Sequence, residues 1–183
     1  HATSVRDIAD RAQVNVSLIS YYFKGKQGLL EYAVVDYFET YLEELEATLK
    51  RTQPMSPFEQ LKQLIATIIE YKHRHLQLSC TIQRELSLDT MFIREITVTY
   101  LAKENHIISN VLFKLIKGKS HDRYFIFMQL KGMLVTPYVL HHEWRHQFVG
   151  EYSHQLFADR YIKNIFTWLE KIVDSTSQLN MKQ

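Results

Sequence analysis

Apolar residues recur three and four positions apart along almost the whole chain, which is the spacing of packed α-helices. The 183 residues include only 5 Gly and 3 Pro, too few for an all-β protein rich in tight turns. The chain is long enough for one sizeable core or for a small domain fused to a larger one, and its 46% of hydrophobic residues is ordinary for a globular protein. The pattern therefore predicts an all-α fold.

Breaks in this pattern divide the chain. Two short helical segments, TSVRDIADRA and VSLISYYF, precede a long one at 27–50, and QPMSP forms the clearest boundary. Later helices are expected over 58–87, with a kink near His75, and over 90–116, 122–140 and 153–174. Three regions follow: a helix-turn-helix domain at 1–31, a linking helix at 32–52, and a helical dimerisation and regulatory domain at 53–183.

Composition excludes several classes of protein. Cys80 is the only cysteine, so no intramolecular disulfide forms, and a reducing, cytoplasmic location is the simplest expectation. No apolar run approaches the roughly 18 residues that span a bilayer, so no membrane association is expected. The net charge of +2 is mildly basic and permits a polyanionic partner. No motif calls for a cofactor.

The first two helices have the spacing of a helix-turn-helix, in which the second helix presents side chains to base edges. Ile8, Ala9, Val14 and Ile19 are the small or apolar positions expected to lock the two helices together. The DNA-contacting residues predicted around them are polar, basic or aromatic, with one valine: Thr3, Ser4, Arg6, Asn15, Val16, Ser17, Ser20, Tyr21, Tyr22, Lys24 and Lys26.

Each residue type suits a particular contact with the duplex. Asn15 and Ser17 can hydrogen-bond to bases, and Val16 can pack on a thymine methyl. The helix start near Thr3 and Ser4 offers backbone N–H groups to a phosphate. Further phosphate contacts are expected from Tyr21, Tyr22, Lys24 and Lys26.

This segment resembles the TetR family of bacterial regulators. The resemblance rests on TSVRDIA at 3–9, Ala12-x-Val14, YFKGK at 22–26 and Leu29-Leu30. It implies that Arg6 and the exposed residues from 15 to 22 contact bases, that Ser4, Tyr22 and Lys26 contact phosphates, and that an earlier helix precedes His1. Gln13 departs from the family, which usually has glycine in this turn. Because a left-handed conformation costs a residue with a Cβ roughly 1 kcal/mol or more, a slightly altered turn is expected.

Three segments are also similar to the RefZ subfamily of Firmicute TetR-type proteins. They are VNVSLISYYFKGKQGLLE, FIREITVTYLAKENHII and MQLKGMLVTPY. This resemblance implies DNA binding near the chromosome origin and restraint of the division protein FtsZ. Alternatively, the output is transcriptional repression, with or without a small-molecule inducer held among the Tyr, Phe and Met side chains of the larger domain.

A single helix-turn-helix makes few contacts, so a homodimer on palindromic double-stranded DNA is expected. Two predicted helices, with apolar stripes at 124–134 and 156–169, carry more apolar residues than one face of a subunit core requires. In the family resemblance, the corresponding helices pair across a two-fold axis. The alternative is that both stripes close the core of their own subunit. The predicted interface residues are Phe127, Leu130, Leu134, Tyr161, Ile165, Phe166 and Leu169.

The stretch HHEWRH at 141–146 has the H-E-x-x-H spacing of a zinc hydrolase helix. Such an enzyme needs a third ligand, for which Glu151 and Glu170 are available, and usually a strand edge to bind substrate, and no strand pattern exists. A solvated helix terminus is the preferred interpretation, with adventitious metal binding by His141, His142 and His146 the alternative. No metal site and no enzymatic activity are predicted.

Two further clusters favour structural roles. Lys72-His73-Arg74-His75 is a basic run at a helix end, where cations complement the helix dipole, and a solvated face is expected there. Cys80 is expected to be a small buried hydrophobe because no histidine supports it as a nucleophile.

Overall fold

The computed structural model describes residues 3–116, 120–140 and 154–180. The chain divides into two compact units, His1–Thr40 and Tyr41–Gln183. Every regular element within the described ranges is helical, which confirms the predicted all-α fold. None of the helices in these ranges is long and apolar enough to cross a membrane.

The N-terminal unit begins with two short helices, α1 (Val5–Ala12) and α2 (Val16–Phe23), and contains the start of α3 (Lys26–Arg51). A capping box starts α1: the Asp7 backbone N–H donates to the Ser4 hydroxyl oxygen at 3.2 Å, and the Ser4 N–H donates to the Asp7 carboxylate at 2.7 Å. Eight-residue helices are marginal alone. Such caps therefore help to define where α1 begins.

The turn between α1 and α2 contains Gln13 in a left-handed conformation, with φ 56° and ψ 37°. The Gln13 N–H donates to the Asp10 carbonyl at 3.2 Å, and the Val14 N–H donates to the Ala9 carbonyl at 3.0 Å. These two bonds form a Schellman motif, the usual glycine-ended helix terminus. The expectation of an altered turn is wrong, because Gln13 adopts the left-handed backbone conformation that glycine usually has at this position, despite its Cβ.

The junction between α2 and α3 is equally tight. Lys24 is left-handed at φ 56°, and Gly25 has φ 109°. A Cβ on Gly28 would collide with the backbone carbonyl oxygen of Phe23, so only glycine fits there without movement of one of the two helices. The last carbonyl of α2 therefore lies directly against the first turn of α3.

The C-terminal unit contains the rest of α3 and six further helices in the described ranges. A break at His75 separates α4 from α5, which confirms the expected kink, and a π-helical turn at Thr97–Leu101 separates α6 from α7. The bounds are α4 (Pro57–Arg74), α5 (Leu76–Glu85), α6 (Met91–Ile96), α7 (Ala102–Leu115), α8 (Ser120–Val139) and α9 (His154–Asn180).

Helix α4 is central to this unit and packs on α7, α8 and α9. Ser56 caps it and Pro57 occupies its first turn, as the QPMSP boundary predicted. Its inward side chains recur three and four apart and are fully buried: Leu61, Leu64, Ile65, Ile68 and Ile69. A helix with so wide a buried stripe forms the middle of a core.

Four of the residues predicted at a dimer interface lie in this core. Leu130, Leu134, Ile165 and Leu169 are each at most 1% exposed in the single chain. Their side chains therefore pack within their own subunit. Whether the helices that carry them also pair across a two-fold axis stays a prediction.

Candidate nucleic-acid interface

The inner side of α2 joins it to its neighbours in the N-terminal unit. Ile19 is 5% exposed and Ala9 of α1 is 1% exposed, as expected for the residues that lock the two helices together. Phe23, one turn beyond Ile19, is half-buried with its ring centroid 5.3 Å from that of Tyr32. Val14 is predicted inside as well, but it is 43% exposed.

The outer side of α2 faces solvent along its whole length. Tyr21 is 79% exposed and Tyr22 is 70% exposed, with their rings packed edge to face at 5.0 Å. Leu18 is 45% exposed and was missed by the sequence analysis. The helical period contained the signal, since a residue next to inward-facing Ile19 is rotated by 100° from it.

The N-terminus of α2 is held by Asn15. Its side-chain oxygen accepts from the Ser17 backbone N–H at 2.9 Å and from the Ser17 hydroxyl at 2.8 Å. The side-chain oxygen of Asn15 and the hydroxyl proton of Ser17 are thus engaged in capping the helix. For a base contact, this leaves the amide nitrogen of Asn15 and the lone pairs of the Ser17 oxygen.

The net positive charge around the two short helices favours binding of a polyanion. Between residues 3 and 26 there are four cationic side chains and two aspartates. The backbone N–H and hydroxyl of Ser4 hold the pKa of the Asp7 carboxyl below its usual value. Because the Ser4 N–H already donates to Asp7, it is not available to a phosphate. The four cations are Arg6, Arg11, Lys24 and Lys26.

All of the side chains predicted to contact DNA are exposed on this unit: Thr3, Ser4, Arg6, Asn15, Val16, Ser17, Ser20, Tyr21, Tyr22, Lys24 and Lys26. Their exposure makes contact with a duplex sterically feasible. Which of them contacts a base and which a phosphate stays a prediction.

Comparison with known proteins identifies the family. Residues 1–33, which contain α1, α2 and the start of α3, match the family described as bacterial regulatory proteins of the tetR family. A curated protein of Bacillus subtilis (strain 168), the probable HTH-type transcriptional regulator YttP, is 38% identical over 183 residues, covering 93% of this chain and 84% of the relative. The chain belongs to the TetR family. It is therefore a DNA-binding transcription regulator.

Two other features considered in the sequence lie outside the helix-turn-helix: the HHEWRH stretch and Cys80. The HHEWRH stretch lies outside the described residues, and so do the three histidines considered for adventitious metal binding. Within the ranges that the structure describes, no group of three His, Cys, Asp or Glu side chains is placed to hold a metal ion. Cys80 is 7% exposed, so its prediction as a small buried hydrophobe is confirmed.

The basic run at 72–75 corrects a second expectation. Arg74 is exposed and forms two hydrogen bonds with the Glu44 carboxylate, at 2.9 and 3.3 Å. Lys72, however, is only 5% exposed and points into the core of the C-terminal unit. The solvated face predicted for the whole run is therefore wrong at Lys72, which has a buried acidic partner.

That partner is Glu104 of α7, which is 2% exposed. One of its oxygens accepts from the Tyr41 hydroxyl at 2.7 Å and lies 3.7 Å from the Lys72 ammonium; the other accepts from the Lys131 ammonium at 2.8 Å. Lys72 also donates to the Leu134 carbonyl at 3.4 Å. We call these four residues, Tyr41, Lys72, Glu104 and Lys131, the buried ion cluster. It ties α3, α4, α7 and α8 together.

The cluster shifts the protonation equilibria of its members. Burial raises the pKa of the Glu104 carboxyl, but the two lysines and the Tyr41 hydroxyl outweigh it and bring this pKa down to about 2. Burial lowers the pKa of the Lys72 ammonium, against the attraction of Glu104. Glu104 is therefore ionised at neutral pH.

The remaining residues predicted at the dimer interface are half-buried on α8 and α9. Phe127 lies 6.3 Å from the Phe113 ring, and the Tyr161 hydroxyl donates to the Met133 carbonyl at 2.7 Å. The Lys62 ammonium lies 5.0 Å from the centre of the Phe166 ring. Each has internal contacts and also retains some accessible surface, so their place in an interface stays a prediction.

Proposed function

We propose that this TetR-family protein is a homodimeric transcriptional repressor that binds a palindromic operator, with α2 of each subunit in the major groove. The observation that carries the proposal is the geometry of α2, which is capped by Asn15, anchored by Ile19 and exposed along its outer side. That arrangement lies inside the segment matched to the family. A helix presented in this way can enter the major groove as the second helix of a helix-turn-helix does.

Dimerisation follows from the small size of the recognition helix. Helix α2 has 8 residues, so one copy can contact only a few base pairs. Two copies related by a two-fold axis double these contacts and select a palindrome whose half-sites lie roughly 34–36 Å apart. The proposed operator therefore has two-fold symmetry.

We place the dimer interface on the outer face of α8, next to half-buried Phe127. Tyr124, Phe125 and Met128 are 56%, 60% and 66% exposed. Phe125 and Met128 lie three residues apart and so share one side of the helix. Large apolar side chains concentrated on one exposed helix mark a protein interface. Tyr161 and Phe166 of α9 border it in the proposal.

The experiment combines oligomeric state with DNA affinity on the full-length protein. Wild type and the double variant Phe125→Asp/Met128→Asp are compared by light scattering and by fluorescence anisotropy on a selected palindromic duplex. The variant is expected to be monomeric and to bind at least tenfold more weakly, because buried aspartates lack partners at the interface. Met91→Asp is the matched control, since Met91 is 74% exposed on α6, outside the proposed interface. A wild-type monomer would refute the proposed dimer, and a double variant that stays dimeric with undiminished DNA affinity would refute the placement of its interface on α8.

Repression is tested separately by transcription in vitro from a promoter that overlaps the selected site. Added protein is expected to reduce transcript from this promoter and to leave a promoter with a scrambled site unaffected. Activation would contradict the repressor role but not the DNA-binding role.

The alternative output is a protein contact of the kind implied by the resemblance to RefZ. The segments that motivate this alternative, FIREITVTYLAKENHII and MQLKGMLVTPY, lie on α6, α7 and α8 of the C-terminal unit. FtsZ polymerisation measured with and without operator DNA distinguishes this output from repression. A small-molecule inducer is the third form of regulation, tested by the release of operator DNA when candidate ligands are added.

A further inference from the structure

The recognition helix has an unusual composition for a helix that discriminates between bases. Its sequence, VSLISYYF, contains neither a charged residue nor an amide side chain. Guanine is most often recognised by bidentate Arg or Lys, and adenine by bidentate Asn or Gln. None of these residues is on α2, so its hydrogen-bonding groups are limited to hydroxyls.

The polar groups next to α2 are only partly available. The Asn15 oxygen is occupied by the cap on Ser17, so Asn15 cannot offer both its donor and its acceptor to an adenine. The cationic side chains lie outside the helix: Arg6 is on α1, and Lys24 and Lys26 follow the end of α2. Those after the helix are suited to phosphates, which carry no sequence information.

Where Arg, Lys, Asn or Gln would contact bases, α2 instead presents apolar side chains. Leu18 is 45% exposed, one helical turn before the exposed rings of Tyr21 and Tyr22, and Val16 is 39% exposed in the first turn of α2. Branched aliphatic side chains are buried more often than exposed. Part of each of these two side chains is accessible to solvent in the free protein and can gain an apolar contact on the duplex. The apolar group on the floor of the major groove is the C5-methyl of thymine.

We propose that Val16 and Leu18 recognise thymine C5-methyl groups, and that these methyls are the main sequence determinant read by α2 in each half-site. The inference rests on the proposed function, because it requires α2 in the major groove. It predicts operator half-sites with thymines at fixed positions, at which A·T and T·A pairs are not interchangeable.

The test removes only the methyl group. Duplexes that bind the full-length protein are selected from a random library, and the best one is resynthesised with deoxyuridine at each half-site thymine in turn. Deoxyuridine keeps base pairing and changes only the C5 position in the groove. Affinity, measured by anisotropy at fixed salt, is expected to fall about fourfold for each contacted methyl. Deoxyuridine outside the half-sites is the DNA control.

Variants of the protein assign the effect to its side chains. Leu18→Ala and Val16→Ala are expected to bind thymine and uracil duplexes equally at the position that each contacts. Both residues are exposed, so circular dichroism should show unchanged helix content. Leu88→Ala is the matched control, because Leu88 is 49% exposed in the C-terminal unit and should keep the full preference for thymine.

The outcomes separate the two proposals. Selection of a site with a thymine-to-uracil penalty that Leu18→Ala or Val16→Ala abolishes supports the inference. A selected site that tolerates uracil at every position, or that contains no half-site thymine, overturns the inference and leaves the DNA-binding function intact. Failure to enrich any sequence overturns both.

Discussion

The two units of this chain differ in that the C-terminal unit has a buried network of polar groups, whereas the hydrogen-bonded side chains described in the N-terminal unit lie at its surface. In the N-terminal unit, Ser4 with Asp7 and Asn15 with Ser17 form hydrogen bonds at the exposed starts of helices. In the C-terminal unit, Glu104 is buried and has its partners on three other helices. The first arrangement stabilises short helices while leaving their outer sides exposed to solvent. The second fixes how long helices pack around a core.

The difference has a direct energetic consequence. A surface cap contributes on the order of 1 kcal/mol and can be lost without unfolding the rest of a protein. A buried charge that loses its partner remains desolvated without compensation and costs several times more. We therefore expect substitutions in the C-terminal unit to affect overall stability, and those in the N-terminal unit to act locally on DNA binding.

The largest effect is predicted for Glu104→Gln. The substitution keeps the shape of the side chain but removes the only carboxylate of the buried ion cluster, leaving the Lys72 ammonium buried without its counter-charge. The free energy of unfolding, measured with urea, should fall by about 3–5 kcal/mol. Lys103→Ala, at the exposed neighbouring position, is the control and should change it little. A loss from Glu104→Gln as small as that of the control would show that the cluster contributes no net stability.

The same residue predicts how stability depends on pH. The pKa of Glu104 is about 2 in the folded chain and near 4.5 ordinarily. Because the folded-state pKa is the lower one, the contribution of Glu104 is fully present above about pH 4.5 and is lost as the pH falls from there towards 2. Urea titrations from pH 7 to pH 3 should show the gap between wild type and Glu104→Gln narrowing below pH 4.5. A constant gap would contradict the assigned ionisation.

The same contrast explains what sequence analysis could predict. The capping partners Ser4 and Asp7 are 3 residues apart, and Asn15 and Ser17 are 2 apart, so local patterns reveal helix boundaries. Glu104 is separated from Tyr41 by 63 residues and from Lys131 by 27. The residues next to Lys72 in sequence do not indicate that distant Glu104 is its partner, so the local pattern predicts only a solvated basic run.

The apolar stripes of α8 show a second limit. Helix α8 has both a buried set, with Leu130 and Leu134, and an exposed set, with Phe125 and Met128. Both sets have helical spacing, so the period detects two apolar sides without showing which one packs inside the subunit. That choice depends on contacts with α5 and α4, which only the tertiary structure supplies.

A smaller, local effect is predicted for Gly28→Ala. Its new methyl would meet the Phe23 carbonyl, so α2 or the first turn of α3 must shift, at a cost of about 1–3 kcal/mol. Hydrogen exchange measured by mass spectrometry should become faster in peptides covering 5–23, and affinity for the selected duplex should fall. Exchange in α4 and α7 should not change. Gln27→Ala is the matched control, because Gln27 is exposed and its side chain bonds only to Glu31 among the described contacts. Unaltered exchange in α2 would show that the junction tolerates a Cβ.

The smallest effect, and the one of opposite sign, is predicted for Gln13→Gly. Gln13 is held at φ 56° by the two bonds of the Schellman motif, a conformation that disfavours any residue with a Cβ by roughly 1 kcal/mol. Glycine removes this strain but gains conformational freedom in the unfolded chain, so the net stabilisation should not exceed about 1 kcal/mol. Exchange in α1 and α2 should slow slightly, whereas Gln13→Ala, which keeps the Cβ, should give no such protection. Equal protection by the two variants would mean that the Gln13 side chain, and not its backbone conformation, destabilises the turn. Faster exchange in the glycine variant alone would mean that the lost chain entropy outweighs the strain, leaving glutamine the better residue at this position.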